Sequence, residues 1–226
     1  MVKRIVLVAV LAFICISSGF AQQKIELSIE AGPNFGNIIQ HESNEYESNF
    51  GSGFQGGVGL IYRINPKVHI QTGVGFSQVN LSRDYDSDPY QREGGPQLPA
   101  IIPMDYEFML IDVPVEAGYS LRFGDVEAGF QGSLRPTFVT AVNNERYLFR
   151  DEDGVAQLEL DISDEMKSFI LMGEAGVQIR YSLDENTSAF GGFKAGYDLT
   201  GIQKNNAGNG HLFRAGFTLG LAISLF

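Results

Sequence analysis

"FRAGFTLGLAISLF", residues 213–226, alternates with a period of two. Phe213, Ala215, Phe217, Leu219, Leu221, Ile223 and Leu225 fall on one side, and Arg214, Gly216, Thr218, Gly220, Ala222 and Ser224 on the other. Successive side chains of a strand point to opposite faces, so the stretch reads as a β-strand with one uncharged, apolar face. Two kinds of protein use such a strand. A soluble β protein turns the apolar face inward; a membrane barrel turns it outward to lipid.

Working outward from this stretch, seven more runs share its period. Their apolar positions begin with Ile25, Leu27, Ile29 and Ala31, then Phe54, Val58, Leu60 and Tyr62, then Val68, Ile70, Val74 and Phe76. A fourth run has Ile111, Val113, Val115, Ala117, Tyr119 and Leu121, and a fifth has Val126, Ala128, Phe130, Leu134 and Phe138. The sixth has Phe169, Leu171, Ala175, Val177, Ile179 and Tyr181, and the seventh Ala189, Phe193, Ala195, Tyr197 and Leu199. No helical period of comparable strength accompanies them.

The connections alternate in length. Long ones cover about 36–50, 83–105, 142–166 and 203–210; short ones are Ile64-Asn65-Pro66, Arg122-Phe123-Gly124-Asp125 and Asp184-Glu185-Asn186. Four long loops and three tight turns fit an all-β, eight-stranded antiparallel up-and-down transmembrane β-barrel with its short turns in the periplasm. Pairing Leu121 with Val126 across the second turn would set Asp112 opposite Arg135 and Glu116 opposite Gln131.

The second face of the runs decides between lipid and water. It carries Arg63, Asp112, Glu116, Glu127, Arg135, Glu174, Arg180, Lys194, Asp198 and Arg214 among many glycines. The apolar face has no Asp, Glu, Lys or Arg in any run. Arg or Lys facing lipid at the midplane costs about 2–4 kcal/mol, so this segregation is that of a barrel wall. Glycine weakens a strand and packs nothing, which is hard to explain on a solvent face. It is natural inside a narrow barrel, where large charged groups need small neighbours. Those ten charged residues are therefore expected to form an ion-pair network that plugs the lumen, because isolated charges there would be too costly. A soluble ligand-binding barrel is the alternative fold. Tyr62, Tyr119, Phe123, Tyr181 and Phe226 near the short turns, with Phe50, Phe76, Phe138, Phe169 and Phe213 near the long loops, suggest two interfacial girdles.

The N-terminus supplies the compartment. Lys3 and Arg4 precede the apolar run Ile5–Ile16, and Gly19 and Ala21 take the small-residue positions of a cleavage site. Residues 1–21 read as a secretory signal peptide cut after Ala21, leaving 22–226 as one barrel domain. The run is too short for a membrane helix, which needs about 20 apolar residues. Cys15 is the sole cysteine and leaves with the signal, so the mature chain has no thiol chemistry. Of 16 Lys and Arg, loss of Lys3 and Arg4 leaves 14 against 27 Asp and Glu, a net charge of −13. A chain this acidic is no nucleic-acid binder.

The stretches "EAGPNFG" (30–36), "IQTGVGFSQ" (70–78), "LIDVPVEAGYSL" (110–121) and "GEAGVQIRYSL" (173–183), with the terminal Phe226, together resemble the PorT-like outer-membrane β-barrel family of Gram-negative bacteria. The resemblance covers nearly all of the mature chain. It implies location and shape, and, for Phe226, a signal for the barrel-assembly machinery, although Phe226 is out of phase with the apolar series ending at Leu225. PorT itself is tied to protein secretion; the resemblance carries no activity with it, because a fold hosts many functions.

Direct signs of chemistry are thin. Histidines occur at 41, 69 and 211 only. A hydrolytic site at the outer rim would need His211 or His41 beside partners such as Ser43 or Asp198, and no motif joins them. "RDEDG" (150–154) resembles part of a calcium loop, but Phe149 and Leu160 would occupy its first and twelfth positions, so no metal site is expected. No cofactor is implied. The third long loop alternates through Tyr147 and Phe149, meets a hairpin signal at Asp153-Gly154, and resumes with Leu158, Leu160 and Ile162. These residues are expected to form a protruding hairpin whose edge could pair with another protein.

The chain is thus expected to be a structural or interaction protein of the envelope, not an enzyme. Its expected partners are outer-membrane lipid and lipopolysaccharide, the assembly machinery during insertion, and an envelope protein at the loops. The alternatives are a barrel enzyme acting on lipid or peptide at the outer leaflet, or a narrow pore or small-ligand transporter.

Overall fold

A computed structural model describes residues 25–40, 46–86, 101–144, 147–151, 154–158, 166–202 and 210–225. Cys15, the cleavage position after Ala21, His41, Ser43 and Phe226 lie outside these residues. The strands are β1 (Ile25–Gln40), β2 (Tyr46–Asn49), β3 (Gly51–Arg63), β4 (Val68–Asp86), β5 (Ile101–Asp112) and β6 (Val115–Phe123). They continue as β7 (Val126–Asn144), β8 (Tyr147–Asp151), β9 (Gly154–Leu158), β10 (Phe169–Ser182), β11 (Thr187–Asp198) and β12 (Gly210–Ser224).

Antiparallel pairing runs from β10 through β11, β12, β1, β3 and β4 to β5, β6 and β7, and β7 pairs back to β10. Nine strands therefore make a closed ring. β5 and β6 are two parts of one stave, since both lie between β4 and β7. They are separated at Val113-Pro114, where proline has no N–H for the ladder. Counted as staves, the ring has eight, one for each alternating run.

Local chemistry closes the three tight turns. Asn65 Oδ1 accepts the N–H groups of Lys67 at 2.8 Å and Val68 at 2.9 Å. Asp184 Oδ1 does the same for Asn186 at 2.8 Å and Thr187 at 2.7 Å. These are Asx turns. The middle turn is only Gly124-Asp125, with Gly124 at φ 65°, the backbone a type II′ hairpin needs at its first central residue.

That compact turn corrects the expected register. Phe123 pairs with Val126 and Leu121 with Ala128, so Glu116 lies opposite Ser133 and Asp112 opposite Thr137. The expected pairing was off by two residues. Because the strand period is also two, the slip moves every pair and leaves every face unchanged.

The faces divide as a membrane barrel requires. Leu219 is 75% exposed and Val115 53%, while the side chains of Glu174 and Arg180 are only 6% and 5% exposed. Phe50, Phe76, Phe138 and Phe169 are exposed near the long-loop end. There Phe50 meets Phe213 edge-on with ring centroids 6.0 Å apart, and Phe138 packs on Phe169 at 5.5 Å.

Several strands run further than the alternation suggested. β4 reaches Asp86, β5 starts at Ile101 and β7 ends at Asn144, so part of the expected loops 83–105 and 142–166 is wall. A bulge at Thr140 adjusts β7 there, its hydroxyl donating to the Met109 carbonyl at 2.9 Å. Above the aromatic level the side-chain pattern inverts. Val79, Leu81, Phe108, Leu110, Ile170, Met172 and Leu212 point inward and are fully buried, joined by Ile38, Met166 and Ile202. Outward positions at that level include Asn80, Gln78 and Glu107, the last two joined by a hydrogen bond. In water a barrel buries its apolar face, and in lipid it exposes it, so the inversion marks the level at which the wall leaves the bilayer.

Candidate functional site: a charged lumen beneath an apolar seal

Below the seal the inward face is polar, and its charges are braced across the barrel. At mid-level, Arg214 on β12 holds Asp112 on β5 with two contacts of 3.2 Å, although the two strands are not neighbours. Arg135 reaches the same carboxylate at 3.5 Å and Glu174 at 2.8 Å. Arg214 also approaches Glu174 at 3.5 Å. Hydroxyls of Ser77 and Thr137 donate to Asp112 at 2.5 and 2.6 Å, so both of its oxygens are satisfied. Removing each ion from water costs several kcal/mol, and only such complete pairing offsets it.

A second group lies toward the tight turns. Arg63 binds Glu26 at 2.6 Å and Glu127 at 3.1 Å, and Arg180 binds the other oxygen of Glu26. Ser120 donates to Glu127 at 2.6 Å. Beneath Arg180, Phe190 offers its ring face with the guanidinium carbon 5.6 Å from the centroid. Phe190, Ile61 and Ala222 form a small buried apolar cluster in the lumen. Between the two groups Lys194 spans the barrel to Glu116, with both carboxylate oxygens within 3.0 Å, and lies 3.8 Å from Glu30.

Nine of the ten residues expected in the network are therefore in it: Arg63, Asp112, Glu116, Glu127, Arg135, Glu174, Arg180, Lys194 and Arg214. Asp198 is not. It is fully buried at the edge of the apolar seal, opposite Met172, and its carboxylate accepts from the backbone and hydroxyl of Thr200 at 2.8 and 2.9 Å. Asp198 ends β11, so its carboxylate caps the turn. Two members were missed. Glu26 and Glu30 stood on the polar side of the first run, and the parity that sorted the others would have placed them in the lumen too.

His69 also points into the lumen, packed against Gly118. A methyl group at residue 118 would overlap the imidazole, so this glycine is a requirement of the ring beside it. His211 sits at the other end. Its Nδ1 is 2.8 Å from the backbone carbonyl of Asp198, not the carboxylate, and its ring stacks on Tyr197 with centroids 5.0 Å apart. Among the described residues no cluster of three or more His, Cys, Asp or Glu side chains is arranged to hold a metal.

Outside the ring, β8 and β9 form their own two-stranded sheet. Tyr147 pairs with Leu158 and Asp151 with Gly154, so Gly154 lies in a strand and not in the turn expected at 153–154. Tyr147 and Phe149 lie in β8, and Gly154 and Leu158 in β9. Asp153, Leu160 and Ile162 lie outside the described residues.

The chain is similar to several solved structures. The neisserial surface protein NspA aligns with a TM-score of 0.48 and 11% identity, covering 88% of this chain and 97% of that one. The outer membrane protease OmpT from Escherichia coli aligns at 0.42 and 11%, covering 89% and 97%. The attachment invasion locus protein Ail of Yersinia pestis aligns at 0.37 and 10%, covering 88% and 98%. No curated protein sequence matches the chain. The family model for the outer membrane protein β-barrel domain matches residues 20–223. With an apolar belt outside, a charged lumen inside and that match over most of its length, the chain belongs to the outer membrane protein β-barrel domain family and resides in the outer membrane.

Proposed function

We propose that the protein is a closed, non-catalytic barrel that presents its extracellular end to another envelope component. The observation that carries this reading is the filled interior. Cross-lumen ion pairs occupy its membrane level, and a dry cluster around Phe108 and Leu81 occupies the level above. Such packing leaves neither a solute path nor an interior cleft for substrate. What remains available for function is the outer surface, where the β8–β9 hairpin stands apart from the barrel sheet. A two-stranded sheet offers backbone donors and acceptors at its edges, which suits pairing with a partner's extended segment.

The same reading includes membership of the PorT-like branch, lipid and lipopolysaccharide around the apolar belt, and the assembly machinery as a transient partner. It places the hydrolytic alternative second, since His211 Nδ1 meets the backbone carbonyl of Asp198 and its ring stacks on Tyr197. Photo-crosslinking from Tyr147 and Leu158 in intact cells tests the proposal. Capture of one defined envelope protein, lost when residues 147–158 are replaced by a short Gly-Ser linker, is the expected result. No crosslink beyond lipid would sink it.

A further inference from the structure

The lipid-facing wall is uneven over one sector. On β11 the outward positions Ala189 and Gly191 carry almost no side chain. Gly191 is in register with Ile179 on β10 and Leu219 on β12, both strongly exposed. Large side chains on either side of a bare strand leave an apolar groove of about 730 Å³. Phe193 and Phe217 bound it near the middle of the wall, their ring centroids 5.0 Å apart, and it runs to Tyr181 at the tight-turn end. From Val177 to Tyr181 is about 13 Å of strand, close to the roughly 15 Å of hydrocarbon in one leaflet. An unfilled groove at that depth forfeits dispersion contacts along its whole lining, so an apolar chain belongs in it.

The tight-turn end of the groove is not neutral. There Arg122 sits 3.5 Å from the hydroxyl of Ser182, the residue after Tyr181, and its Nε donates to the Gly124 carbonyl at 3.0 Å. Its side chain is exposed, and among the described residues it makes no salt bridge. A guanidinium has five N–H donors in a planar fork that matches phosphate, and two contacts leave donors over. The Asp184 carboxylate is engaged by its own turn, through the N–H groups of Asn186 and Thr187. A hydrocarbon groove one leaflet deep with a cation at its aqueous end has the polarity of a phospholipid.

We propose that this sector binds one phospholipid of the periplasmic leaflet, with an acyl chain in the groove and its phosphate on Arg122. The inference rests on the outer-membrane location and not on the extracellular partner proposed above, so the two stand or fall separately.

The test is native mass spectrometry of the full barrel in detergent micelles, titrated with phosphatidylglycerol or with diacylglycerol of the same chains, which lacks the phosphate. The wild type should retain one phosphatidylglycerol and bind it about tenfold more tightly than diacylglycerol, the size of one charge-assisted hydrogen bond. Arg122→Gln should remove that tenfold preference and leave diacylglycerol binding unchanged. Gly191→Leu should weaken both ligands, because a side chain there meets the flexible end of Leu219 and fills the groove. Ala189→Leu decides the matter if Gly191→Leu does not refold. Equal affinity of the wild type for the two ligands, or an undiminished preference in Arg122→Gln, overturns the proposal. So does undiminished binding in the groove-filling variant, because the lipid would then sit elsewhere on the wall.

Discussion

Asp112 and Arg214 meet in a two-point contact of 3.2 Å from strands on different sides of the ring, so this pair ties the barrel together across its axis. Breaking a buried ion pair from one side leaves its partner uncompensated. Asp112→Asn leaves both Arg214 and Arg135 facing a neutral amide. It is expected to lower stability by about 3–5 kcal/mol, read as the urea unfolding midpoint in micelles. Asp125→Asn, in the exposed Gly124-Asp125 turn, should leave that midpoint unchanged and serves as the control.

The apolar seal makes its own prediction. Phe108 and Leu212 are fully buried in the cluster above the membrane level. Replacing a buried Phe or Leu by Ala typically destabilises by about 2–5 kcal/mol, because a cavity remains. The wild-type protein should be silent in a planar bilayer. Phe108→Ala combined with Leu212→Ala should lower the unfolding midpoint in micelles yet leave the bilayer silent, because the ion pairs below still fill the lumen. A conducting wild type would contradict the closed interior.

The level at which the wall pattern inverts can be located by single arginines. Leu219→Arg faces lipid and should cost about 2–4 kcal/mol if it lies near the midplane. Asn80→Arg points outward above the aromatic ring of Phe76 and Phe138 and should be near neutral. Equal penalties at both sites would place the bilayer edge elsewhere.

Gly118 and His69 should behave as one unit. A Cβ at residue 118 meets the imidazole directly, so Gly118→Ala is expected to destabilise the barrel clearly. Adding His69→Ala makes room and should recover part of the loss. A double-mutant cycle measures the coupling, expected between about 0.5 and 3 kcal/mol for residues in contact.

The turn at Asp184 carries a pH signature outside the membrane. The N–H groups of Asn186 and Thr187 point at its carboxylate and hold its pKa below the ordinary aspartate value. A folded pKa below the unfolded one stabilises the protein above the unfolded value, about 3.9, and that contribution fades as pH falls through the folded value. Carboxyl NMR titration should find the lowered midpoint, and Asp184→Asn should remove this part of the acid sensitivity.

What the sequence determined by itself was the wall. Period-two alternation is a local property, so the eight staves, their lipid and lumen faces, the tight turns and nine of the ten network members were all legible residue by residue. The partners of those charges were not. Asp112 with Arg214, Glu26 with Arg180 and Lys194 with Glu116 meet across the axis, at separations set by closure of the ring. The two-residue register slip was equally hidden, because it preserves parity. Asp198 was misassigned because its polar side gave no hint that β11 ends there and that Thr200 folds back onto it. Only the tertiary structure decided that the lumen turns dry above the aromatic level. Inward apolar residues such as Leu81 and Phe108 share the phase of the charges below them, and only their height relative to the membrane says which solvent the outer face meets.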